Sequence, residues 1–171
     1  GLDDLRAHGL NSIGVARAMM GDRGGLVDLE RSIVISRELN SAGVVRGYNN
    51  LASTLVALGD LQRAFDVYAD ARREAQRFGL GAPLRWLHAA QADEHYWCGR
   101  WDEVVELVAD LIAQAESGSR HVREVDARIV RALIRLARGD ATGAEQDSAR
   151  ALDFARQAED PQILFPALAA R

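Results

Sequence analysis

Apolar residues along the chain recur every three to four positions, the period of an α-helix, and no stretch alternates as a half-buried strand does. Leu61, Ala64, Phe65, Tyr68, Ala71 and Ala75 fall on one helical face, and Leu51, Ala52, Leu55 and Leu58 do the same just upstream. Followed to both ends, the spacing predicts helices over 3–20, 24–39, 42–58, 61–78, 82–98, 101–117, 120–138 and 141–158. A last helix is expected to begin near 161–166. The chain is therefore expected to be all-α.

The punctuation between helices is periodic too. Glycine followed by a polar residue recurs at Gly21-Asp22, Gly59-Asp60, Gly99-Arg100 and Gly139-Asp140, at spacings of 38, 40 and 40 residues. Glycine closes one helix in the left-handed conformation, and the aspartate accepts the free amide hydrogens that open the next. Asn40-Ser41, Gly81-Ala82-Pro83, Ser117-Gly118-Ser119 and Asp160-Pro161 supply a helix stop and a cap or first-turn proline at the longer junctions. The result is a set of antiparallel hairpins over 3–39, 42–78, 82–117 and 120–158, with a fifth starting at 161–171, in one domain spanning 1–171. Each hairpin leaves an apolar face for the next. The fifth lacks its second helix, so Ile163, Leu164, Phe165 and Leu168 are expected to face water, and the native chain to run past 171 or to form a homodimer through this helix.

Composition narrows the function classes. The chain has 171 residues, 48% hydrophobic and 27% charged, as a globular protein does. No stretch approaches the roughly 20 apolar residues that span a bilayer and no signal-peptide pattern opens the chain, so the expectation is a cytoplasmic protein without membrane contact. A net charge of −4 argues against direct nucleic-acid binding. All 21 basic residues are arginine, which reads as a GC-rich genome rather than as chemistry. Cys98 stands alone, which excludes an internal disulfide framework and a multi-cysteine zinc site. No glycine cluster forms a phosphate-cradling loop, and no cofactor is expected.

Leu51-Ala52, Leu55, Gly59-Asp60, Ala64, Tyr68 and Ala71 follow the order large, small, large, glycine turn, alanine, aromatic, alanine. In this the chain resembles the tetratricopeptide repeat family. Gly14, Gly21 and Ile33 fit the same pattern in the first hairpin, Ala92, Gly99 and Val104 in the third, and Ala132, Gly139, Ala144 and Ala151 in the fourth. Two features depart from it. The period is near 40 against the family's roughly 34, and the large apolar residue four before the glycine survives only as Leu55, its equivalents being Arg17, His95 and Arg135. The longer variety is similar to repeats that follow the ATPase module of LuxR-type transcription regulators and cyclase-linked ATPases. The resemblance implies a right-handed superhelical solenoid without a catalytic centre. It also implies an interaction, scaffold or signal-relay segment of a larger bacterial signalling or transcription-regulatory protein, bound by a protein, a peptide or adjacent domains of the same chain.

The family's groove positions, on the first helix of each hairpin, correspond to His8 and Asn11, then Arg46, Asn49, Asn50 and Ser53, then Trp86, Asp93, Tyr96 and Trp97. Asn49 and Asn50 disfavour a helix interior, which points to hydrogen-bonding work, either with a partner or between helices. The basic clamp for a peptide's terminal carboxylate is missing, since Trp86 and Ala90 stand where it needs cations. Trp86, Tyr96, Trp97 and Trp101 are four of the ten aromatics, which suits either an interface anchor or repeat packing. A closed pocket around them would indicate a small-molecule sensor. Arg128, Arg131, Arg135 and Arg138 form a basic stripe, open to an acidic partner or else a solvated face paired with Asp126, Glu145 or Asp147. His95 and Cys98 share a helical face, but two ligands fall short of a closed metal site, and no nucleophile sits beside an oriented base. Neither metal nor catalysis is expected.

Overall fold

The computed structural model describes residues 1–171 as nine helices and no strand. They are α1 (Leu2–Met19), α2 (Gly24–Glu38), α3 (Gly43–Ala57), α4 (Leu61–Arg77), α5 (Gly81–Trp97), α6 (Trp101–Glu116), α7 (Glu124–Ala137), α8 (Ala141–Ala158) and α9 (Pro161–Ala169). No helix is long and apolar enough to cross a membrane.

Seven of the helix ends close in the same way. After α1, the Gly21 amide donates to Ala18 and the Asp22 amide reaches back to the Arg17 carbonyl, the paired bonds of a Schellman stop. The same pair closes α2 to α7, with Asn40, Gly59, Gly79, Gly99, Gly118 and Gly139 at the left-handed position. Asp60 and Asp140 then cap α4 and α8 by accepting the amides of Arg63 and Gly143.

Two junctions differ from the sequence reading. The helix stop before α5 is Gly79 at φ 66°, not Gly81, which already belongs to the helix. α7 begins at Glu124 rather than 120, because the Arg123 amide is taken by His121 Nδ1 and the Glu124 amide by the His121 carbonyl, a turn that holds the chain out of the helix. α8 ends at Ala158, as the spacing predicts, with Glu159 at φ 54° in the left-handed cap position that glycine usually fills.

The chain forms two compact units, Gly1–Leu87 and His88–Arg171. In the first, α1 packs on α2, α3 on α4, and α3 also touches both α1 and α2. The α1–α2 crossing is tight because two glycines face each other there: a Cβ on Gly14 would lie 2.7 Å from the Gly25 carbonyl oxygen and 2.8 Å from the Leu29 side chain. Leu51, Ala52 and Leu55 of α3 and Ala64, Tyr68, Ala71 and Ala75 of α4 are all buried, as the helical faces predict. In the second unit, Ala89 and Ala92 of α5 join Val104, Val108, Leu111 and Ile112 of α6 and Ala127, Val130 and Ile134 of α7 in one cluster. Val125, Ala151, Leu152 and Ala155 form another with Ile163 and Ala167 of α9. Ile163 is thus buried and Leu164 packs against the cluster, contrary to the expectation that both face water; Phe165 (68% exposed) and Leu168 (47%) do face it.

Candidate binding surface on the first helices

The groove positions of the first unit converge. Asn11, 2% exposed on α1, meets Arg46 and Asn50 of α3. Asn50 Nδ2 reaches Asn11 in either orientation of that amide, at 3.3 or 2.9 Å. Arg46 decides between them: a guanidinium only donates, so the Asn11 oxygen faces it. In that orientation Asn11 Oδ1 accepts from Arg46 Nε at 3.0 Å and Nη2 at 2.9 Å and from Asn50 Nδ2 at 2.9 Å. Asn49, one residue before, has a buried Oδ1 without a hydrogen-bond partner. Ser53 is exposed, and its hydroxyl lies 3.0 Å from that of Tyr68. His8, Asn11 and Arg46 line one cleft of about 180 Å³ with Asp4, Ser32 and Ser36.

The other groove residues are dispersed. The boundary between units falls within α5, so Trp86 belongs to the first unit and Asp93, Tyr96 and Trp97 to the second. Trp97 is 79% exposed. Tyr96 stacks on Trp101 with ring centroids 6.0 Å apart, and the Trp101 indole donates to the Tyr96 carbonyl at 3.2 Å. Trp101 thereby orders Tyr96 as packing at the helix junction. Asp93 shares the Arg123 guanidinium with Asp126, at 3.9 and 2.8 Å. Its carboxyl is pushed up to about 7, by burial first and then by the charge of Asp126, with Arg123 pulling the other way. Asp126 is raised by burial as well, opposed by Arg123.

A carboxyl with a folded-state pKa above its unfolded value holds its proton more tightly when folded. The stability it contributes is full below the unfolded pKa, near 4, and is lost as pH climbs towards 7. Asp93→Asn therefore melts above the wild type at pH 8, and the gap narrows by pH 5. Melting curves at the two pH values check this, and an equal gap at both would contradict it.

The arginine stripe is not an open basic face. Asp147, 2% exposed on α8, takes Arg131 at 2.6 Å, Arg135 at 2.7 Å and Arg128 at 3.2 Å. Arg128, itself 2% exposed, also donates to Glu124 at 2.7 Å. Burial disfavours its charge, but the bond to Glu124 and the charges of Glu124, Asp147 and Glu116 outweigh that and raise its pKa. Only Arg138 points to solvent, paired with Asp102 at 2.6 Å. The row is an internal ion-pair network, and an acidic partner would compete with carboxylates already in place.

The positions that lost their apolar residue are explained by the same chemistry. Arg17 pairs with Asp22 and with Asp28 across the α1–α2 hairpin. Its equivalent Arg135 pairs with Asp147, which stands where the first hairpin has Asp28. His95 is buried, its Nε2 2.9 Å from the Gln91 amide nitrogen. Its Nδ1 lies 3.1 Å from the Glu103 carboxylate. Cys98 is exposed, and no three His, Cys, Asp or Glu side chains gather as metal ligands would.

Ser32 and Ser36 were not singled out by sequence reasoning. α2 starts three residues after its turn glycine, whereas α4, α6 and α8 start two after theirs. The buried face of α2 nevertheless comes one residue sooner, Asp28 lying seven after Gly21 where Asp147 lies eight after Gly139, so counting from the glycine misaligns the first hairpin by one. Compared with known proteins, the chain matches no family model, and no curated protein matches it either.

Proposed function

We propose that the chain is a protein-interaction module of tetratricopeptide-like hairpins, a scaffold or signal-relay segment of a larger bacterial signalling or transcription-regulatory protein. It takes an extended peptide across the first helices of Gly1–Leu87. The observation that carries this reading is the meeting of Asn11, Arg46 and Asn50 where α1 and α3 adjoin, with Asn49 beside them. An extended backbone offers alternating donors and acceptors, and side-chain amides match both. Arg46 commits one hydrogen from Nε and one from Nη2 to Asn11, leaving three of its five N–H groups. The donors and acceptors sit on packed helices, so little ordering is lost on association. The contacts of α3 with both helices of the preceding hairpin are those expected of such repeats.

Selection of random peptides on the immobilised chain tests the reading. The expected result is a shared motif whose members lose about tenfold or more in affinity to Asn50→Ala and Arg46→Ala, the effect of removing a charge-assisted or buried hydrogen bond. Melting curves of both variants verify the fold. Peptides that bind the variants as well as the wild type would remove this face as the binding surface.

A further inference from the structure

The fourth hairpin carries charge where the second carries core. Aligned through Gly59 and Gly139, Glu124 and Arg128 of α7 stand where α3 has Val44 and Tyr48, and all four side chains are buried. Packing therefore asks for neither charge. Glu124 Oε1 accepts from Arg128 Nε, but Oε2 is buried without a hydrogen-bond partner. A carboxylate oxygen left in that state disfavours folding, so a role outside packing is called for. Both residues line a cleft of about 510 Å³, flanked by the end of α6 and by α8. That volume lies within the ~300–1,000 Å³ of small-molecule sites. The charges around it balance in sum but not in pairs. Glu116 takes Arg150 at 2.7 Å, and Arg128 is shared by Glu124, Glu116 and Asp147. Arg120 pairs with no carboxylate: its guanidinium donates to the Gln157 side-chain oxygen at 3.2 Å and lies over the Phe154 ring. Asp153, on the same lining, pairs with no arginine.

We propose that this cleft binds a free amino acid, its ammonium taken by Glu124 and Asp153 and its carboxylate by Arg120. The unmatched acids and the unmatched guanidinium together ask for a ligand that carries both charges. Glu116, Glu124 and Asp153 against Arg120, Arg128 and Arg150 give the lining no net charge. A zwitterion keeps that balance, whereas a bare cation or a bare anion would upset it among three side chains of its own sign. The site belongs to His88–Arg171, and it stands or falls independently of peptide binding by Gly1–Leu87.

The test is thermal melting of the full chain with each of the standard L-amino acids in turn. The expected result is that at least one raises the melting temperature saturably, by about 5–11 °C at a roughly hundredfold excess over its dissociation constant. Its amide, which lacks the carboxylate, and its N-acetyl form, which lacks the ammonium, should leave the melting temperature unchanged. Calorimetric titration of that amino acid then locates the site. Glu124→Gln, which keeps the volume, and Arg120→Gln should each weaken binding about tenfold or more, the effect of losing a charge-assisted hydrogen bond. Arg120 is exposed and lies between α6 and α7, so Arg120→Gln should melt with the wild type and decides the matter even if Glu124→Gln unfolds. No saturable shift with any amino acid, an equal shift with the amide or the N-acetyl form, or undiminished affinity in Arg120→Gln would overturn the proposal.

Discussion

Asp147→Ala is expected to destabilise the chain by about 3 kcal/mol, the low end of what breaking a buried ion pair costs. Asp147 is the shared acceptor of three arginines. Without it, Arg131 and Arg135, whose side chains are 17% and 34% exposed, can turn towards water, but Arg128 at 3% cannot. Arg128 keeps Glu124 and Glu116, and for that reason the low end is chosen. Asp147→Asn retains the volume and two acceptor lone pairs and should lose roughly half as much. For a chain of this size 3 kcal/mol lowers the melting temperature by about 6–12 °C. Amide exchange should localise the loss to His88–Arg171. A change under about 0.5 kcal/mol would mean that the arginines relax into solvent and that the network contributes nothing.

Gly25→Ala should come next, with a net loss of about 2 kcal/mol. A Cβ there would lie 2.3 Å from the Gly14 carbonyl oxygen and 2.8 Å from the Ala18 amide nitrogen. Both are backbone atoms of α1 and neither can rotate away, so the two helices must part. Overpacking of this kind costs about 3 kcal/mol at the top of its usual range, and the better helix propensity of alanine returns about 1. Gly47→Ala is the internal control. Its Cβ would meet the side-chain Cγ1 of Ile33 at 2.9 Å, an atom that can shift, so the loss is smaller. Urea unfolding of the two variants decides the matter, and a Gly25→Ala chain as stable as the wild type would show that α1 and α2 do not need that closeness.

Much of the secondary structure could be read without coordinates because the punctuation is chemically forced. A left-handed helix stop is cheap only for glycine, so Gly21, Gly59, Gly99 and Gly139 announce themselves, and all four have positive φ. Glu159 announces nothing, since the left-handed backbone it adopts is not one its residue type favours. The start of α7 was misplaced for a similar reason, as a histidine ring took an amide that helix propensity alone would have assigned to the helix.

Side-chain partners were harder to read. The loss of an apolar residue at Arg17 and Arg135 was visible, but the matching acids, Asp28 and Asp147, lie on the following helix, and only packing reveals the exchange. The convergence of Asn11, Arg46 and Asn50 followed from their groove positions. Ser32 and Ser36 escaped because the buried face of α2 comes one residue nearer its turn glycine than in the other hairpins, and two serines in a helix carry no signal until burial is known.

The most direct test of the α1–α3 surface is a map of amide shifts when the best selected peptide is titrated into the labelled chain. The prediction is a continuous patch containing His8, Asn11, Arg46, Asn49, Asn50 and Ser53, with the residues of α8 and α9 unmoved. Shifts centred on Trp97 or on α9, with Asn11 and Asn50 silent, would contradict it.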